Sequence, residues 1–288
     1  MPSALLARME QRLILLRWDS LDLPPRQRTL RATLDWSYAL LTSEEQAVFR
    51  RLGVFASGFT LESAAAVAAP DEVGGEPLDV VQGLVDKHLV RVLERVRDEP
   101  RFGQLVTVRE YALARLAENG DEEQTRDRHI AHYLALAEQA HRNLNSPAET
   151  DWLNRLDSEV DNLRLGHEWA IARGNPEAEW RFVAALAPFW VFRGYLREGS
   201  ERVKVAFSRS YEADLALRAC FLEGAGLLAL WSGDDERAFA HFEASLAAAQ
   251  VAGDRALATR VLARLGAAAY GRGDATRARV HILSLIHI

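Results

Sequence analysis

Apolar residues recur at helical spacing along most of the chain, and the places where that rhythm stops divide it into parts. Leu30, Leu34, Tyr38 and Leu41 fall on one face of a helix starting near Thr29. A second helix carries Val48, Phe49, Leu52 and Phe55. Ser43 with Gln46 ahead of it predicts a capping box, in which the serine oxygen takes a free backbone N–H and the glutamine reaches back. Gly58 marks a break, and Thr60 is placed to cap a helix over 61–69. Residues 70–75 (PDEVGG) read as a loop, and another helix spans about 77–88. The period then changes. LVRVLERV over 89–96 and RFGQLV over 101–106 are short apolar runs that predict a β-hairpin, turning at Asp98-Glu99-Pro100. Thr107 with Glu110 predicts another capping box opening a helix to about Glu118, closed by Gly120.

Three helices, a hairpin and flanking helices over 23–120 make a winged-helix pattern. Beyond Gly120 only helical spacing remains, with helices expected over about 122–144, 151–173, 176–192 and 196–210. A repeat appears there: Leu222, Gly226, Gly233-Asp234 and Ala238 return 40 residues later as Leu262, Gly266, Gly273-Asp274 and Ala278. An earlier, weaker copy turns at Gly194-Tyr195, with Gly199 where the alanine would be. The small residues let two antiparallel helices approach closely, and Gly-Asp turns the chain between them. Such pairs resemble tetratricopeptide repeats, which stack into a solenoid with a concave surface because none buries its apolar face alone. The expected fold is mostly α: a winged helix with a small β-hairpin over 23–120, then an α-solenoid of tetratricopeptide-like helix pairs over 121–288.

Composition changes this picture little. The 288 residues are 49% hydrophobic and 26% charged, which are globular values, and the length suggests about two domains. The formal net charge of −6 argues against non-specific nucleic-acid binding by the chain as a whole, while leaving room for a local patch. Cys220 is the only cysteine, so no intrachain disulfide forms, and a reducing, cytoplasmic compartment fits best. The apolar run over 4–18 is interrupted by Arg8, Arg12 and Arg17, which makes it an amphipathic helix rather than a signal peptide or membrane span. Lys87 and Lys204 are the only lysines among many arginines, a bias typical of a high-GC bacterial gene.

Candidate chemistry reduces mostly to packing. Gly224-Ala225-Gly226-Leu227-Leu228-Ala229 matches GxGxxA, but it lies inside a repeat helix with no strand before it. His129 and His132 are i, i+3 without a third metal ligand, so they read as a surface or half-buried pair. Asp157, Glu159, Asp161 and Glu168 alternate with Arg155, Arg164 and His167 and read as a solvated, salt-bridged face. No catalytic, metal-binding or cofactor-binding residue is assigned, and the chain is not expected to be an enzyme. The aromatic load of the repeats is heavy, and Trp169, Trp190, Tyr195 and Trp231 are the candidates to line a groove for a peptide or small ligand. The expected recognition helix over 78–88 sets Asp79 and Asp86 against Lys87. Candidate DNA contacts are therefore few: Lys87, with Arg91 and Arg95 on a wing of mixed charge.

LPPRQRTLRATLDWSYALLTSEEQAVFRRLGVFASGFTLESA, then LVDKHLVRV, then RFGQLVTVREYALARL, resembles the winged-helix segment of large bacterial signal-transduction ATPases of the STAND class. Many of these are LuxR-type or antibiotic-regulatory-type, NB-ARC-like transcriptional regulators. The resemblance covers about 21–207 closely and the repeats more generically. It implies an AAA-like nucleotide-binding domain before the winged helix and a DNA-binding domain at one end of the full protein. On that reading residues 1–22 are a remnant of the preceding domain and linker, the chain is truncated at both ends, and the tail from about 281 is artefactual. ATP is then expected only in the upstream domain. Arg26, Arg28, Arg31 and Thr107 would contact that domain, the repeats would take a protein or small inducer, and DNA would be met only through domains outside this chain. No membrane partner is implied. Two departures stand out. GxxxxGK[ST] does not occur, and at the hairpin-to-helix junction Leu105-Val106-Thr107 a valine replaces the acidic residue common in that group. The alternatives are a winged helix that reads DNA directly and a stand-alone repeat adaptor.

Overall fold

The computed structural model describes residues 30–68, 77–93, 99–209 and 211–284. The chain divides into two units between His132 and Tyr133, inside the helix Glu122–Asn143.

The first unit holds α1 (Leu30–Ala39), α2 (Ser43–Leu52), α3 (Leu61–Val67), α4 (Pro77–Asp86), β1 (Arg91–Val92), β2 (Phe102–Gly103), α5 (Val106–Asn119) and the start of α6 (Glu122–Asn143). The cap of α2 lies one residue earlier than expected. Thr42 Oγ1 accepts from Glu45 N at 3.2 Å, and Glu45 Oε2 accepts from Thr42 N at 3.0 Å. Gln46, freed from the box, donates to Tyr38 O and Leu41 O and ties α2 to the end of α1. Thr60 caps α3 in a box with Ser63.

The hairpin is shorter than the apolar runs suggested. Arg91 pairs with Gly103 and Val92 with Phe102. Leu89 and Val90 instead close α4: both backbone N–H groups donate to Leu84 O, and both side chains are buried. Phe59 supplies a short third strand, exchanging two 2.8 Å hydrogen bonds with Phe102. Gly58 permits this approach. Its φ is 102°, and a Cβ there would lie 2.6 Å from Phe102 O. The expected box at Thr107 does not form, because α5 begins at Val106 with Leu105 as its cap and without a side-chain cap bond. Gly120 ends α5 in the left-handed conformation, as expected.

Val48, Phe49, Leu52, Phe55, Val81, Leu84, Phe102 and Leu116 fill the core of this unit. Tyr111 joins α5 to α1 through a 2.7 Å bond from its hydroxyl to Asp35. Arg50 and Arg51 meet Asp121 at 2.8 and 3.4 Å. His129 is fully buried with its ring 5.7 Å from Phe55, so it belongs to this core rather than to a surface pair.

The second unit continues with α7 (Glu149–Ser158), α8 (Val160–Ala172), α9 (Pro176–Phe192), α10 (Leu196–Phe207), α11 (Leu215–Trp231), α12 (Asp235–Ala252), α13 (Arg255–Gly271) and α14 (Ala275–Ser284). The single helix expected over 151–173 is broken at Glu159. That carboxylate is buried and accepts from the Tyr133 hydroxyl at 3.0 Å and from Asn162 Nδ2 at 2.8 Å. The helix pairs α9/α10, α11/α12 and α13/α14 turn at Gly194, Gly233 and Gly273, each with φ between 76° and 81°. Asn175, Asp214, Asp234, Asp254 and Asp274 each accept a backbone N–H three residues on, opening the helix that follows. Gly226 is packed so closely that a Cβ there would lie 2.6 Å from the Phe242 ring, which is why the repeat keeps glycine at that point. Gly224-Ala225-Gly226 sits in mid-helix, in the packing role the sequence suggested. Ile282 packs over Gly266, so α14 includes the first residues of the tail, and 285–288 lie outside the described residues.

Candidate functional site

On α4, Val80, Val81 and Leu84 face the core, which leaves Asp79, Gln82 and Asp86 exposed at i, i+3 and i+7. This is the surface a recognition helix would offer a groove, and it carries two carboxylates. Gln82 Nε2 donates to Asp86 Oδ1 at 2.8 Å. Lys87 Nζ lies 2.5 Å from Glu45 Oε1. Burial would raise the Glu45 pKa, but the bonds from Lys87 and Thr42 outweigh it and hold the carboxylate below its ordinary value. Lys87, expected as a DNA contact, therefore spends its charge within the fold.

Arg91 is exposed on the wing, and Arg95 lies outside the described residues. Arg31 is exposed at the start of α1, while Arg26 and Arg28 also lie outside the described residues. Thr107 is half-buried in the first turn of α5, beside the exposed Leu105 and Val106.

The four aromatic groove candidates have different fates. Trp190 is 3% exposed, and a Cβ on Gly199 would lie 2.9 Å from its Cε3, so the indole is the bed on which α10 rests. It belongs to the core and not to a groove. Beside it, His167 is buried with its ring 5.3 Å from Phe182. Burial, helped by Arg202, lowers its pKa to about 3 and keeps it neutral. Tyr195 is half-buried against Phe189 and beneath the Arg164 guanidinium. Trp169 is half-buried, and Trp231 is 62% exposed. The acidic face is salt-bridged as expected at Asp157–Arg193, Asp161–Arg164 and Glu168–Arg202, but Glu159 and His167 are interior. Among the described residues no group of three side chains is placed to hold a metal ion.

Among the described residues the repeat unit carries two roomy cavities of note. One, of about 390 Å³, lies among α6, α9 and α11 over Ala184, Ala185 and Cys220. Its charges are matched: Arg181 bridges Glu138 at 2.7 Å and Glu177 at 3.6 Å. Glu223 is clamped by Arg260 at 2.7 Å and Arg264 at 2.8 Å. Burial raises the Glu223 pKa, but the two guanidiniums prevail and hold it low. Burial pushes the Cys220 thiol up, which keeps it protonated and unreactive. The second cavity, of about 710 Å³, lies between α10 and α12 above α11. Periodicity gave no sign of it; the one available signal was the long joint over 208–214 between α10 and α11.

Residues 41–117 match the family of the winged helix-turn-helix domain, and the arrangement α2, Phe59, α3, α4, β1, β2 is that fold. The chain is similar to a protein of Mycobacterium tuberculosis (strain ATCC 25618 / H37Rv) that is provisionally named an HTH-type transcriptional regulator. The two are 36% identical over 254 residues, which is 84% of this chain and 28% of that protein. Its counterpart in Mycobacterium bovis has the same values. An uncharacterized protein of Mycobacterium tuberculosis is 43% identical over 108 residues, 37% of this chain and 27% of its own length. The chain thus spans between a quarter and a third of the curated relatives it matches. A solved STAND protein with a tetratricopeptide repeat sensor from Pyrococcus horikoshii is 15% identical with a TM-score of 0.37, covering 93% of this chain and 47% of that one. A likeness at that level carries no weight for fold or function. Among the described residues no helix is long and apolar enough to cross a membrane.

Proposed function

We propose that this chain is the relay and sensing portion of a signal-responsive bacterial transcriptional regulator of the STAND type, acting in the cytoplasm without catalytic chemistry of its own. The winged helix couples a nucleotide-binding domain outside the chain to the repeats, and the repeats receive a protein or small inducer. ATP belongs to that other domain. Arg26, Arg28, Arg31 and Thr107 serve the contact with it, and DNA is met through domains outside the chain.

One observation carries this reading: the exposed face of α4 presents Asp79 and Asp86, and the lysine that follows is paired with Glu45. A helix that enters a DNA groove needs cations for phosphates and donors for base edges, and two carboxylates there are repelled. The similarity to a protein named for transcriptional regulation supports the setting. Fluorescence anisotropy with a mixed-sequence duplex at low salt tests it, and no salt-dependent binding is expected. Affinity that falls with salt and is lost in Arg91→Glu would instead support a winged helix that reads DNA itself. That second reading is favoured by the domain match and by the exposed Arg91.

A further inference from the structure

The packing of the helix pairs is looser at α10 than at its successor. Helix α10 has 12 residues and reaches α11 through 208–214, whereas α12 has 18 residues and reaches α13 through Gly253-Asp254 alone. A short helix on a long joint leaves a cleft of about 710 Å³ between α10 and α12. That volume lies within the roughly 300–1,000 Å³ of small-molecule sites. Its floor is α11, where Ala229 is partly exposed and Ala225 and Leu228 lie buried behind it, an apolar base to the cleft. One wall is a ring pair, Phe207 and His241, whose centroids are 5.3 Å apart at 14°. Phe207 is 45% exposed, so its ring is open to a ligand. Burial lowers the His241 pKa, so at neutral pH this wall is uncharged.

The rim is polar and weighted toward cations. Lys204 and Arg237 line it, and Asp234 is the one carboxylate among the lining residues. Asp234 is already engaged, accepting from Arg237 N at 3.2 Å as the cap of α12. Lys204 pairs with Glu201 at 2.7 Å and Arg237 with Asp234 at 3.4 Å. Both pairs are i, i+3 contacts in open solvent, where such bridges hold their partners weakly, so a ligand anion competes for either cation. Ser200 and Ser232, with hydroxyls 3.4 Å apart, add neutral donors at the same edge.

The geometry points to this cleft as the site of an aromatic carboxylate, its ring on the α11 floor against the Phe207–His241 wall and its anion at the Lys204–Arg237 rim. The assignment rests on the reading that the repeats receive an inducer, and it names the chemical class of that inducer. A neutral aromatic would leave the cations idle, and an aromatic cation would meet them as repulsion.

The test is calorimetric titration of the full chain with naphthalene-2-carboxylate, naphthalene-2-methanol and 2-naphthylmethylamine. The carboxylate should bind at least about tenfold more tightly than the alcohol, the difference one charge-assisted contact supplies, and the amine should be weakest. Ala240→Trp places an indole in the cleft from an exposed position of α12 and should abolish binding. Lys204→Gln with Arg237→Gln, both at exposed positions, should bring the carboxylate down to the level of the alcohol and leave the alcohol unchanged. Thermal melting confirms that each variant is folded. Absence of carboxylate binding, equal binding of the three probes, or undiminished binding by Ala240→Trp overturns the site. None of these outcomes touches the relay reading, which stands or falls on DNA anisotropy.

Discussion

Gly226→Ala should destabilise the protein, although alanine is the better helix former. A Cβ at Gly226 would lie 2.6 Å from Phe242 Cδ1, 2.7 Å from Cε1 and 3.1 Å from Cγ. Phe242 is fully buried, so its ring has no open space to enter, and α11 and α12 must separate or the ring must leave its rotamer. Overpacking of this kind costs about 1–3 kcal/mol. Removing a glycine from a helix interior returns about 0.8–1 kcal/mol. The balance runs from about zero to a loss of roughly 2 kcal/mol, and its midpoint near 1 kcal/mol is a fall of about 2–4 °C in the melting of the repeat unit. Gly271→Ala is the control. Its Cβ would meet nothing within 4 Å, so only the propensity gain remains; Gly271 is the last residue of α13, so stability should rise by less than the roughly 0.8–1 kcal/mol of an interior position. Circular dichroism melts of the three proteins decide the matter. Gly226→Ala melting at or above the wild-type temperature would refute the close approach of α11 and α12.

Two further predictions concern buried carboxylates. Glu179 is 0% exposed, neither of its oxygens has a hydrogen-bond partner, and Arg209 is 3.7 Å away; burial raises its pKa although Arg209 and Arg202 oppose the rise. A carboxyl raised on folding costs stability once pH exceeds its unfolded value, so Glu179→Gln should melt higher than wild type at pH 7 and level with it below about pH 4. Equal melting at pH 7 would contradict the burial assigned to Glu179. Glu223 has the opposite sign: its lowered pKa stabilises above the unfolded value, and the gain is lost as pH falls through the folded one. Glu223→Gln should cost about 3 kcal/mol at pH 7 by leaving Arg260 and Arg264 without their anion, and the difference should shrink in acid denaturation below about pH 4.

The winged helix was legible because its hairpin interrupts a helical rhythm and its breaks fall at Gly58 and Gly120. The length of its strands was not, because Leu89 and Val90 look like strand residues yet serve as the end of α4. Nothing at Ser158-Glu159-Val160 marks a helix break. At the break the Glu159 carboxylate is buried, and its donors are Asn162 and the hydroxyl of Tyr133, 26 residues earlier. Trp190 and Trp231 both lie in the last turn of the first helix of a pair, four and two residues before the turn glycine. Burial of one and exposure of the other follow from Gly199 laying α10 on the first. The acidity of α4 was visible as composition, but the loss of Lys87 to Glu45 needed a partner 42 residues away. The cleft above α11 depends on a joint's length, which is written in the sequence but gains meaning only when set beside the shorter joint one pair later.

The side-chain caps at Asn175, Asp214, Asp234, Asp254 and Asp274 each act within their own turn. Every helix they open is therefore delimited by instructions that travel with it and owe nothing to the neighbouring pair. A gene segment encoding one 40-residue unit, cut or copied in frame, would carry its own start signals and turn glycine intact. Arrays built this way grow or shrink in whole steps, and a helical surface of new length arises without redesign of the helices already present.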